Sequence, residues 1–483
     1  MSSIETLQPQ PVWHIFSEMS KIPRGSGDET AVMAMLEQWS AQQGFPAKRD
    51  AVGNMLVTIP ATPGHADKVP LLIQGHVDMV CEKNTATKHD FTKDPIKLQL
   101  AGDWVTADGT TLGADNGIGV AMGLALGVDG SVAHGPLEVL LTVDEERGLT
   151  GAAGVEAGFF TAQRMINLDS EEDDAIFIGC AGGRDTMLTL TTTQARVPKD
   201  STVRKVSIGG LLGGHSGLDI HRHRGNAIKI LIRALQAAAA EMEVRLVSCV
   251  GGSMRNAIPR EALATVVIPS EQSRRFKKLV EQAVARVKVE ELASSDDGLQ
   301  VKVTAVQAAR SCSLTSSQQA LDLLAALPHG VTSMSQTLEG LVETSTNLGV
   351  VATAGAKIQI VCCSRSSVMS ALDGLVDQHA ALGRLAGATV EQPPGYPGWQ
   401  PNLDSELLAI TRRKYRQTFG HEAELKAIHA GLECGLLTDK YPELDIVSFG
   451  PNIEGAHSPD ERVSIPSVQK IWKLLTALVA DMA

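Results

Sequence analysis

Hydrophobic positions recur at helical spacing through residues 12–44, and the pattern breaks at Pro23-Arg24-Gly25-Ser26-Gly27. This predicts two helices ahead of any sheet, the second capped by Asp28 and running toward Gly44. Four short apolar runs follow, at 69–74, 137–143, 165–168 and 445–449, each bounded by Gly, Pro or charge. Runs of that length without polar alternation are expected of strands buried on both faces, as inside a largely parallel sheet. The Ala- and Gly-rich stretch 116–128 reads as a helix with Asp115 at or near its cap.

From about Asp185 the pattern changes to Thr-rich alternation, followed by long Ala/Lys/Glu helical stretches at 226–243 and 271–294. This predicts a second α/β unit with antiparallel strands, ending near Gly387 ahead of the turn-rich EQPPGYPGWQPN. From Ser405 the chain returns to helix, strand and helix. The last apolar run leads to His457, which belongs chemically with residues of the first 170. The middle therefore reads as an insertion: a first domain of residues 1–185 and 388–483, interrupted by 186–387. The expected fold class is α/β.

Composition narrows the function. Lys and Arg number 43 against 55 Asp and Glu, a net charge of −12, which leaves no general basic field for a phosphate backbone or an anionic membrane. Nucleic acid and membrane are not expected partners. The opening MSSIETLQPQPVWHIF has neither a basic region nor a continuous apolar one, and no apolar run approaches the ~20 residues of a membrane span. Seven scattered cysteines, with no CxxC pair, read as reduced thiols. A cytoplasmic protein is expected.

The chemistry sits where the strands end. The first apolar run leads into His76-Val77-Asp78, the second into Asp144-Glu145-Glu146, the third into Asp169-Ser170, and the fourth into the loop that reaches His457. In open α/β sheets ligands sit outside the carboxyl ends of the strands, so these side chains can converge. Asp115, at a helix start, adds a carboxylate. Two His and several carboxylates without Cys suit a hydrolytic Zn, Mn or Co centre better than a structural zinc.

Two divalent ions roughly 3.5–4 Å apart can share a hydroxide as nucleophile, but they repel unless carboxylates bridge and neutralise them. Asp115 is the candidate bridge. His76 with Asp169 would hold one ion, and Glu146 with His457 the other. Asp78 is placed to orient the His76 ring through its other nitrogen. Glu145, beside a ligand, is free to act as general base. Taken singly, a residue such as His76 or Asp169 is more often a hydrogen-bonded surface or core residue than a ligand. Glu171-Glu172-Asp173-Asp174 reads as a solvated acidic face, His221 and His223 as surface, and His429 and Glu433 as parts of a loop near the pocket.

The segments GHVDM, TLGADNGIG, TVDEE, INLDSEE, GGHSG, RNAIP, HAGLECG and GPNIEGAHSPDE together resemble the bacterial aminoacyl-histidine dipeptidases, carnosinase-like members of the di-zinc aminopeptidase/aminoacylase clan. Cys81 departs from the clan, where many members carry proline soon after the HxD motif. The resemblance implies a catalytic domain interrupted by a lid, two zinc ions, and hydrolysis of Xaa-His dipeptides including β-alanyl-histidine. It also implies that His215 steadies the oxyanion, and that Asn256 and Arg365 receive the substrate carboxylate. Arginine suits that task because its planar fork donates two parallel hydrogen bonds. Whether His215 serves its own chain or a partner in a homodimer stays open, the length of the insertion favouring its own. Two alternatives remain: another amidohydrolase of the clan, such as a tripeptidase or N-acyl-amino-acid deacylase, or a non-catalytic metal-binding protein.

Overall fold

In the computed structural model, which describes residues 4–483, the four apolar runs lie side by side. Strands Leu137–Thr142, Leu71–His76, Arg164–Asn167 and Asp445–Ser448 are neighbours in that order and run parallel. Every residue of the first two is buried, as expected where both faces of a sheet are covered. Ala47–Arg49 and Met55–Ile59 extend one edge antiparallel; Ala175–Cys180 and Glu424–Ile428 extend the other, completing eight strands. The α/β class with a largely parallel central sheet is borne out, its parallel part being the four central strands.

Parallel pairing brings the carboxyl ends of these strands to one edge. His76 is opposite Thr142, Gln74 opposite Asn167, and Asn167 opposite Ser448. Helix Ala114–Ala125 is buried at all but Asp115. It lies close to the sheet because position 123 is glycine: a Cβ there would stand 3.1 Å from both Ile73 and Val139. Asp115 and Asn116 depart from helical dihedrals, so Asp115 occupies an irregular turn ahead of the regular helix.

Two N-terminal helices form, Gln10–Ser20 and Thr30–Gln42. Asp28 does not cap the second. Its amide closes the preceding turn onto the Gly25 carbonyl at 2.8 Å, and the helix begins from Glu29 without a side-chain cap. Glu29 itself accepts from the amides of Gly27 (2.7 Å) and Asp144 (3.0 Å).

The chain divides into two compact units. The first comprises residues up to Gly179, Trp399–Ala427 and Leu432–Ala483; the second comprises Cys180–Gly398 and Ile428–Gly431. The second is built on a nine-stranded sheet of antiparallel pairs. Helices Ala227–Ala239 and Ser273–Glu290 pack Leu231, Leu235, Phe276 and Val280 into its core. Asn226 caps the former by accepting from the amides of Ile228 and Lys229. Cys81, Cys249, Cys312, Cys362 and Cys363 are free thiols, and among the described residues no helix is long and apolar enough to cross a membrane.

Candidate metal centre

Five of the sequence-predicted residues meet beyond the carboxyl ends of the parallel strands. His76 Nε2 lies 3.1 Å from Asp115 Oδ1 and 3.3 Å from Asp169 Oδ1. His457 Nε2 lies 3.2 Å from Asp115 Oδ2 and 3.0 Å from Glu146 Oε2. Asp115 thus belongs to two donor triads, His76–Asp115–Asp169 and Asp115–Glu146–His457, each with ligand atoms within 4.8 Å of one another.

The electrostatics of this set call for cations. Burial opposes charge on the His76 ring, yet Asp169 and Asp115 outweigh it and raise its pKa well above the ordinary value. Hydrogen bonds to Asp115 and Glu146 push His457 up to about 11. Burial pushes Asp169 up to about 7, and raises Glu145 well above the carboxylate range. Buried carboxylates packed this closely around two imidazoles suit bound cations. Glu146 Oε1 is buried without a hydrogen-bond partner, as a ligand oxygen facing an ion would be. The donor set of two imidazoles and three carboxylates fits two hydrolytic divalent ions.

Asp78 does more than face the His76 ring. Its carboxylate accepts from the amides of Glu145 (3.0 Å) and Glu146 (3.2 Å), fixing the turn that carries both. His76 Nδ1 is nearer the backbone carbonyl of Asp78 (3.1 Å) than its carboxylate (3.5 Å). Burial works against ionisation of Asp78, but the His76 hydrogen bond prevails and holds its pKa to about 2.

In the second unit, His215 pairs with Ala257 on a short two-stranded ladder. Its Nδ1 accepts from the amides of Gly217 (3.3 Å) and Leu218 (3.1 Å). A neutral ring whose Nδ1 accepts carries its proton on Nε2. Burial, aided by the Arg365 charge, lowers the His215 pKa to about 4, so the ring is neutral near pH 7. The Asn256 carbonyl accepts from the Ser216 amide at 2.8 Å. Arg365 is buried, donates from Nη1 to Tyr396 Oη at 2.7 Å, and leaves Nε without a partner.

Residues 72–481 match the profile of peptidase family M20/M25/M40. The chain belongs to this family. The peptidase is 44% identical to the cytosol non-specific dipeptidase of Escherichia coli K12 over 483 residues, which is 100% of this chain and 99% of that one. Its structure matches an aminoacylhistidine dipeptidase from Vibrio alginolyticus with a TM-score of 0.92 and 43% identity, covering 99% of this chain and 98% of the other. Aminopeptidase PepT from Bacillus cereus shares the fold at a TM-score of 0.58 and 16% identity, over 99% of each chain. The family resemblance read from the motifs is borne out.

Two expectations about the peptidase need correction. The 171–174 run is not a solvated face throughout: Asp173 is buried and paired with Lys470 at 2.9 Å. Glu171 Oε1 is likewise buried, and burial next to Asp115 and Asp169 pushes that carboxyl up to about 8. Glu433 is no loop residue. It opens helix Glu433–Lys440, is fully buried, and accepts from Gln74 Nε2 (2.5 Å) and Thr142 Oγ1 (2.7 Å). The flanking glycines of HAGLECG concealed the helix start. Its sign was available in the sequence: an acidic residue ahead of an apolar pair, suited to a first turn.

Proposed function

We propose that this peptidase is a cytosolic metallo-dipeptidase that hydrolyses Xaa-His dipeptides, β-alanyl-histidine among them, with two divalent ions, zinc in first place. The observation that carries the reading is Asp115, shared between two donor triads, with Glu145 beside them in a further group with His76 and Glu146. His76, Asp115 and Asp169 would hold one ion, and Asp115, Glu146 and His457 the other. When bound, the ions lend Lewis acidity to the scissile carbonyl and make water acidic near neutral pH.

The chain's own groups do the rest. Glu145 takes the proton of the attacking water and returns it to the amide nitrogen as the bond breaks. Asp78 holds the amides of Glu145 and Glu146, keeping base and ligand in register. His215, with its proton on Nε2, is a neutral donor for the developing oxyanion. Arg365 and Asn256 receive the C-terminal carboxylate of the substrate. The relatives' names support small peptide substrates and differ over breadth, one dipeptidase being called non-specific and the other aminoacylhistidine.

A substrate panel tests the reading. Purified protein should cleave Xaa-His dipeptides, should cleave tripeptides and N-acyl amino acids far more slowly, and should lose activity on chelation. Preferred cleavage of a tripeptide or an N-acyl amino acid, or full turnover without metal, would overturn it.

A further inference from the structure

The Asp115 turn is gripped from both sides by two buried charged residues that no metal-binding role explains. Glu461, 2% exposed, turns its carboxylate onto four consecutive amides. Oε2 accepts from Leu112 (2.7 Å) and Gly113 (2.9 Å), and Oε1 from Ala114 (2.7 Å) and Asp115 (3.2 Å). Arg24, 1% exposed, holds the opposite side. Its Nη2 donates to the Gly113 carbonyl (2.5 Å), and its Nη1 to the Val77 carbonyl (2.8 Å), between His76 and Asp78. Position 113 has φ +70°, and a Cβ there would stand 2.4 Å from Arg24 Nη2, so only glycine lets the guanidinium reach its carbonyl.

The placement of Glu461 follows from the strands around it. Arg462–Ser464 pairs with Trp104–Ala107, which brings the chain before Asp115 alongside the chain after His457. Between His457 and that strand the turn is tied by Ser458 Oγ to the Gly455 carbonyl (2.7 Å) and by the Glu461 amide to the Ser458 carbonyl (3.1 Å). One rigid turn therefore presents both His457 and the carboxylate that holds the Asp115 backbone. A buried carboxylate is costly unless several donors meet it, and four amides do so here.

We infer that Glu461 and Arg24 are positioning residues that set the Asp115 carboxylate between the two metal positions, Glu461 tying it to the His457 side and Arg24 to the His76 side. The inference rests on the two-metal reading above. Since Asp115 is common to both triads, loosening the clamp weakens both binding steps together, whereas removing His457 weakens mainly its own. Partners that orient a ligand typically alter metal affinity by about 10–100-fold.

The test is competition against a chromophoric chelator for Co²⁺ or Zn²⁺, on metal-free wild type, Glu461→Gln, Arg24→Lys and Leu478→Ala. The temperature is chosen so that every variant is folded. Gln puts an NH₂ group against two of the amides, and Lys cannot span both carbonyls. Leu478, buried in the C-terminal helix away from the clamp, serves as a control that lowers Tm alone. Both dissociation constants should rise about 10–100-fold in Glu461→Gln and in Arg24→Lys, and remain at wild-type values in Leu478→Ala. Should Glu461→Gln not fold, Arg24→Lys carries the same expectation. Unchanged constants in the clamp variants, a rise no greater than in Leu478→Ala, or a rise at one step only would overturn the clamp while leaving the two-metal reading intact. Fewer than two ions in wild type would overturn that reading itself.

Discussion

Asp78 Oδ1 lies 3.5 Å from His76 Nδ1, while the same carboxylate accepts from the amides of Glu145 and Glu146. Asp78→Asn keeps the shorter contact from Nδ1 to its backbone carbonyl, so the ring orientation should survive. What it loses is one of the two acceptors that hold the 144–146 turn. We expect kcat to fall about 10–100-fold with little change in KM. Wild-type kcat in this variant would separate Asp78 from catalysis.

The carboxyl ends of four buried strands were legible because charge interrupts apolar runs there, and His76, Glu146, Asp169 and His457 stand at those interruptions or in the loop beyond. Arg24 and Glu461 were not. They act on backbone amides and carbonyls, which every residue offers; the partners of Arg24 lie 53 and 89 positions away and those of Glu461 346–349. No spacing rule reports such a contact. The burial of Asp173 is hidden for a related reason: local polarity does not reveal which side chain the tertiary fold covers.

Stability of the metal-free protein should carry the signature of Glu433. Burial pushes its carboxyl up to about 7, against an ordinary value of 4.5. The folded state therefore keeps this proton at pH values where the unfolded chain has lost it, and stability falls as pH rises from about 4.5 to about 7. The contribution is on the order of 3 kcal/mol at most. Glu433→Gln removes it, so denaturant titrations of the apoprotein at pH 5 and pH 8 should differ less in the variant than in wild type. An equal or larger difference would show that Glu433 does not titrate in this window.

Arg365 should reveal itself through the substrate's C-terminus. Amidating carnosine should reduce kcat/KM more than changing β-alanyl to α-alanyl, since a buried guanidinium left without its anion is costly and one methylene typically changes discrimination by only ~1–3 kcal/mol. In Arg365→Lys the preference for the free acid should shrink. Equal rates on carnosine and its amide in wild type would remove the carboxylate role.

His215→Ala should lower kcat by roughly 10²–10³, the usual cost of losing one oxyanion donor, with metal content unchanged. Because the ring titrates near 4, wild-type activity should show no loss of this donor between pH 6 and 8. Metal lost along with rate would instead make His215 a ligand or a structural residue.

The most direct test of the account is the metal content and turnover of Glu145→Gln, measured on one preparation. Glu145 is read as the proton carrier and not as a ligand, so the variant should bind two ions per chain as wild type does while kcat falls by at least ~10²-fold. Wild-type turnover would contradict the account, and so would loss of an ion in Glu145→Gln with retention in Glu146→Gln, which would exchange the two roles.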